Sequence, residues 1–243
     1  MRRSLATLAI PVMLPVAAPA QQYDEPRNAT VNAAGATTLE VDARAGQLRI
    51  TGRTDITEVR VRGTARASSR DILADIKVEA VRTGDRVTVR AILPRMDDCC
   101  GWDSQALLDL VIETPATLAL DIQDTSGDMT VESVSAKVRI EDSSGNIRVR
   151  DTGDVWISDT SGGIDVRGVK GSVDIDEYSS GEIEVSDVTG SVRVGRDSSG
   201  SIDVSRVGGD FVVERDGSGS IGYDDVKGKV DIPRKDRGRR RYR

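Results

Sequence analysis

The chain has 243 residues, no histidine, two cysteines, 3% aromatic residues and a formal net charge of −6. The missing histidine excludes Ser-His-Asp and Cys-His catalysis and the common histidine-ligated zinc enzymes. Once the N-terminal arginines and a C-terminal basic run are set aside, residues 21–233 carry −14, which does not suit a nucleic-acid binder.

Residues 1–20 have the form of a secretory signal peptide. Arg2 and Arg3 give a basic start, Leu5 to Val16 is mostly apolar, and Ala18-Pro19-Ala20 offers a small-residue cleavage site before Gln21. The apolar run is too short and too interrupted by proline for a membrane span. The expected product is soluble and exported, to a bacterial periplasm or cell surface. Residues 21–36 are polar and small, and read as a flexible lead-in.

From Thr37 an alternating pattern begins, with the pairs Leu39/Val41, Leu48/Ile50, Val59/Val61, Ile76/Val78 and Val87/Val89. Side chains two residues apart share one face of a strand. Thr83-Gly84-Asp85 reads as a hairpin turn and Ser69 to Ala74 as one helical turn. The intervals vary, so residues 37–105 read as an irregular β region that completes or caps the more regular repeats C-terminal to it.

Residues 94–103 (PRMDDCCGWD) break the pattern with a loop carrying Cys99, Cys100 and Trp102. Consecutive Cα atoms lie about 3.8 Å apart, so a bridge between neighbouring cysteines would be strained. A vicinal disulfide, paired free thiols and links to other chains all remain open. With no histidine and two sulfurs, a metal site is not expected.

The most regular stretch spans residues 106–233. One phrase recurs six times: DTSGDMTV, DSSGNIRV, DTSGGIDV, YSSGEIEV, DSSGSIDV and DGSGSIGY. Its glycines (Gly127, Gly145, Gly162, Gly181, Gly200, Gly219) are 18, 17, 19, 19 and 19 residues apart. A fixed period of this size marks a stacked repeat protein. Five apolar columns accompany the phrase. One runs Met129, Ile147, Ile164, Ile183, Ile202, Ile221 and another Val138, Val155, Val173, Val192, Phe211, Val230. Each repeat therefore reads as two short strands and two turns, and the bias to Val and Ile argues against helix. The expected fold is an all-β, single-stranded parallel β-solenoid with coils of about 17–19 residues, six of them spanning roughly 29 Å.

Acidic residues recur with the repeat, where a solvated surface is the default. The column Asp124, Asp142, Asp159, Asp197, Asp216, interrupted by Tyr178, has two readings: a calcium ladder, since hard cations take oxygen ligands, or turns in which each carboxylate accepts a nearby backbone N–H. The phrase does not match calcium-binding nonapeptides, and the turn reading is preferred. The serines before the glycines suit a hydroxyl ladder. Trp156 falls in an outward column between Arg139 and Asp174, as a contact platform or a stack on Arg139. Pro233 ends the repeats. The tail 234–243, with Arg237, Arg239, Arg240, Arg241 and Arg243, reads as disordered, and either contacts anionic lipid or lipopolysaccharide or serves as a solubilising terminus.

The repeated SGxIxV and GxVxI phrases after an exported N-terminus resemble the bacterial domains of unknown function described as β-strand-repeat putative adhesins, or toastrack domains. The resemblance covers residues 37–233 and implies a fold, with no catalytic residues to carry over. It implies a non-catalytic, cofactor-free interaction or scaffold module of the cell envelope, whose partner is an envelope protein or polysaccharide. The alternatives are a self-assembling structural protein and, further off, a polysaccharide-active β-helix enzyme.

Overall fold

The computed structural model of the chain describes residues 22–95 and 104–233. Cys99, Cys100, Trp102 and the tail arginines lie outside this set, as does the leader. Within it, two ten-stranded sheets face one another, joined along the repeats by turns at both edges.

The repeats form the regular part. One sheet takes β9 (Met129–Glu132), β11 (Ile147–Arg150), β13 (Ile164–Val169), β15 (Gly181–Val188), β17 (Gly200–Val207) and β19 (Ile221–Val226). The other takes β8 (Ala119–Ser126), β10 (Val138–Asp142), β12 (Val155–Asp159), β14 (Val173–Tyr178), β16 (Val192–Asp197), β18 (Phe211–Asp216) and β20 (Val230–Asp231). Every neighbouring pair among these is parallel and in register: Ile164 opposes Ile183, which opposes Ile202. All three are buried inside the tube. The aliphatic rows expected from the sequence are therefore rows in space, and the solenoid stands. Fully burying a Val or Ile contributes about 1.5–3 kcal/mol, so each coil's share of the rows offsets much of the cost of ordering its backbone.

The N-terminal region corrects two expectations. Residues 21–36 are not a flexible lead-in, because β1 (Tyr23–Asn32) pairs antiparallel with β4 (Glu58–Ala67) and forms the sheet edge. Its inward position Arg27 is charged and reads as solvent-facing in sequence. In the fold, Arg27 donates to the carbonyls of Ile76 at 2.8 Å and Leu73 at 2.9 Å, satisfying the C-terminal end of α1 (Arg70–Asp75). Pro26 is tolerated because β1 is an edge strand.

Nor does the solenoid begin at residue 106. β2 (Thr38–Ala45) and β3 (Leu48–Arg53) already form a coil, parallel to β8 and β9. The chain then doubles back. β6 (Arg86–Ile92) and β7 (Ala106–Pro115) make a further parallel coil on the far side of β2 and β3. β5 (Lys77–Thr83) closes that edge as the hairpin partner of β6, and β4 closes the other sheet. Ser69 caps α1, which turns Ile72 and Leu73 into the core at this end. The N-terminal end is thus covered on both sheets and over its middle.

Candidate functional site

Two surfaces emerge from the repeat: the corner at the SG phrase and the outward faces of the sheets. At the corner each glycine has a positive φ, from 127° at Gly127 to 142° at Gly200. A Cβ on Gly162 would lie 1.7 Å from the Gly145 carbonyl oxygen, and on Gly181 1.8 Å from that of Gly162. Only glycine fits. Each glycine N–H donates to the serine carbonyl one coil on, as from Gly127 to Ser144 and from Gly145 to Ser161, both at 3.1 Å. The column begins earlier than the phrase reveals, at Gly46, whose N–H donates to Ser126.

The aspartates beside this column turn inward. Asp124, Asp142, Asp159 and Asp197 are all buried, and one oxygen of each accepts a turn N–H. Asp142, for example, accepts from Ser143 at 2.7 Å. The second oxygen of each is buried without a partner. Burial pushes Asp124 up to about 7 and Asp159 up to about 6, and the neighbouring Asp142 carboxylate adds to both. Asp142 and Asp197 are raised for the same first reason. Tyr178 interrupts the column for a structural purpose: its ring is buried between Asp159 and Asp197, and its hydroxyl donates to the Gly162 carbonyl. The geometry is that of turns. Among the described residues no group of three or more Asp, Glu, Cys or His could hold a metal ion. The serines work across coils, but to carbonyls: Ser161 Oγ donates to Ser143 O and Ser199 Oγ to Ser179 O.

The outward faces carry ion pairs that step from coil to coil. Arg150 meets Asp165 at 2.6 Å, Arg167 meets Glu184 at 2.8 Å, and Arg193 meets Asp174 at 2.6 Å. Each is exposed enough to contribute only tenths of a kcal/mol. Trp156 is half-buried on β12, and the Arg139 guanidinium sits 3.8 Å from its ring centroid. A shallow groove of about 420 Å³ opens where β2 bulges, lined by Asp42, Arg44, Gln123 and Glu141 with the corner aspartates Asp124 and Asp142. Arg44 holds a left-handed φ of 68° there and pairs with Asp42 at 2.8 Å.

A second left-handed column, at the opposite turns, escaped the sequence reading. It runs Ser133, Asp151, Gly168, Asp187, Arg206 and Asp225, with φ between 50° and 75°. Only one member is glycine, so no motif announces it. Part of its support is chemical: Arg206 grips Asp187 through two nitrogens, at 2.5 and 2.8 Å, and this hydrogen bonding holds the Asp187 carboxyl below its usual range.

No family model and no curated protein matches the chain. Several solved structures do. A "putative lipid binding protein" from Parabacteroides distasonis aligns over 85% of this chain and 96% of its own, with 12% identity and a TM-score of 0.42. A "putative adhesin" from Bacteroides fragilis aligns over 88% and 99%, with 15% identity and a TM-score of 0.39. A "putative cell adhesion protein" from Clostridium sporogenes aligns over 87% and 99%, with 11% identity and a TM-score of 0.35. Identities and scores this low carry no conclusion about what the present chain binds.

Proposed function

We propose that the protein is an exported, non-catalytic β-solenoid serving as an interaction or scaffold module of a bacterial cell envelope. The observation that supports this most is where the polar side chains are committed. The corner aspartates and serines hold turns, and the outward arginines and carboxylates pair with one another along the stack. What is left for recognition is the broad charged face itself, repeated at each coil. Export is read from the leader-like residues 1–20. The described residues hold no helix long and apolar enough to cross a membrane.

The test is binding of residues 21–243 to isolated envelope fractions of the encoding organism, beside variants with Arg150, Arg167 and Arg193 reversed to glutamate. Saturable binding that the reversals weaken supports the proposal. Absence of binding sinks the interaction role. Turnover of any member of a polysaccharide panel overturns the non-catalytic one.

A further inference from the structure

The two ends of the stack are built differently. The N-terminal end is covered by β1, β4, β5 and α1. At the C-terminal end β19 and β20 are the last strands of their sheets, and no described residue pairs with their outer edges. The last coil is consequently half open: Ile221, Val226, Val230 and Ile232 are partly exposed, and Tyr223 is 51% exposed over Phe211, with 6.1 Å between ring centroids. Uncovered aliphatic rows beside two unpaired edges call for a cap.

We propose that residues 234–243 form a seventh half-coil that closes this end. The register carries the argument. The last three spacings of the SG glycines are each 19 residues, and 19 beyond Gly219 stands Gly238. A residue with a Cβ cannot occupy that place, since the corresponding Cβ on Gly219 would lie 1.5 Å from the Gly200 carbonyl oxygen. The hydrogen-bond ladder continues in the same step. Gly200 N–H donates to Ser218 O at 3.0 Å and Ile202 N–H to Ser220 O at 2.9 Å. One coil on, the acceptors for Gly219 and Ile221 are the carbonyls of Arg237 and Arg239. Tyr242 falls over Tyr223, and Arg243 over the exposed Asp224. Arg240 takes the inward place of Ile221, where its methylene stem covers the row and its guanidinium reaches water, as long basic side chains do. Arginine at that position also ends the stack, because a further coil would have to bury the charge.

Amide exchange followed by NMR at Gly219 and Ile221 tests this on three proteins: residues 21–243, the same chain cut after Pro233, and the full-length Gly238→Val variant. The half-coil requires both amides to exchange at least tenfold faster in the cut chain and in Gly238→Val, with amides of β13 unchanged. The valine variant keeps every tail charge, so it separates register from electrostatics. Unchanged exchange on truncation overturns the proposal, as does wild-type exchange in Gly238→Val. Two other occupants would show themselves and equally overturn it. Protection that survives truncation and rises with protein concentration means a second copy. Protection that appears only with vesicles of anionic phospholipid means a membrane surface.

Discussion

Replacing Asp159 by asparagine should stabilise the protein at neutral pH while leaving it unchanged in acid. Asp159 is 3% exposed, and its carboxyl is raised from 3.8 to about 6. At about 1.36 kcal/mol per unit, a shift of about two units costs the fold up to about 3 kcal/mol once the group ionises. Some relaxation of the corner lowers this to about 1–3 kcal/mol. Because the folded value lies above the unfolded one, the contribution is fully present below pH 4 and is lost as pH rises through 6. Asparagine keeps the oxygen that accepts the Ser161 N–H at 3.2 Å. It also turns the unpaired oxygen into a donor, in register with Asp142, whose own second oxygen lacks a partner. Urea unfolding at intervals from pH 4 to 8 reads the effect. The gap between Asp159→Asn and the parent should open across pH 4–6 and stay near 1–3 kcal/mol above it. Asp124 remains in both chains and keeps a shared slope up to about pH 7. Parallel curves, or a variant weaker than the parent at pH 7.5, would show that the buried carboxylate is not the source of the pH dependence.

The same packing yields three further outcomes. Gly162→Ala should cost about 3 kcal/mol or more, since it sets a Cβ 1.7 Å from backbone at a φ of 139°; a denaturant midpoint close to the parent's would contradict the corner geometry. Thr152→Val should stabilise by about 1 kcal/mol, because the Thr152 hydroxyl is fully buried and unpaired in a row otherwise made of valines; a loss of stability would reveal a missed partner. Arg139→Gln should lower stability by about 1 kcal/mol and shift the Trp156 emission, recorded with Trp102 changed to Phe; an unaltered spectrum would mean that the stack does not persist in solution.

The rows were legible because alternation leaves few alternatives: Ile164 and Val166, two apart with Asp165 between them, can share one face only on a strand. What stayed hidden was hidden for identifiable reasons. β1 places Arg27 where an aliphatic residue would have announced a strand, and that arginine's role is visible only once α1 lies across it. Gly46 opens the corner column, but Ala45 before it hides the phrase. The doubling back that sets β6 and β7 beyond β2 and β3 is a matter of order in space, to which alternation is blind. The inward turn of Asp142 is set by its place two residues after Ile140. A carboxylate is nonetheless read as surface until its burial is seen.

The glycine column also bears on how long such a molecule can be. Each corner is shaped by the carbonyl immediately beneath it and by nothing more distant, so the stack contains no internal ruler. A whole coil could be gained or lost between Gly162 and Gly200 and every remaining corner would find the same neighbour. Extent is then a property of the gene's copy number and of the two closing ends. Selection could lengthen the rod without redesigning any part of it.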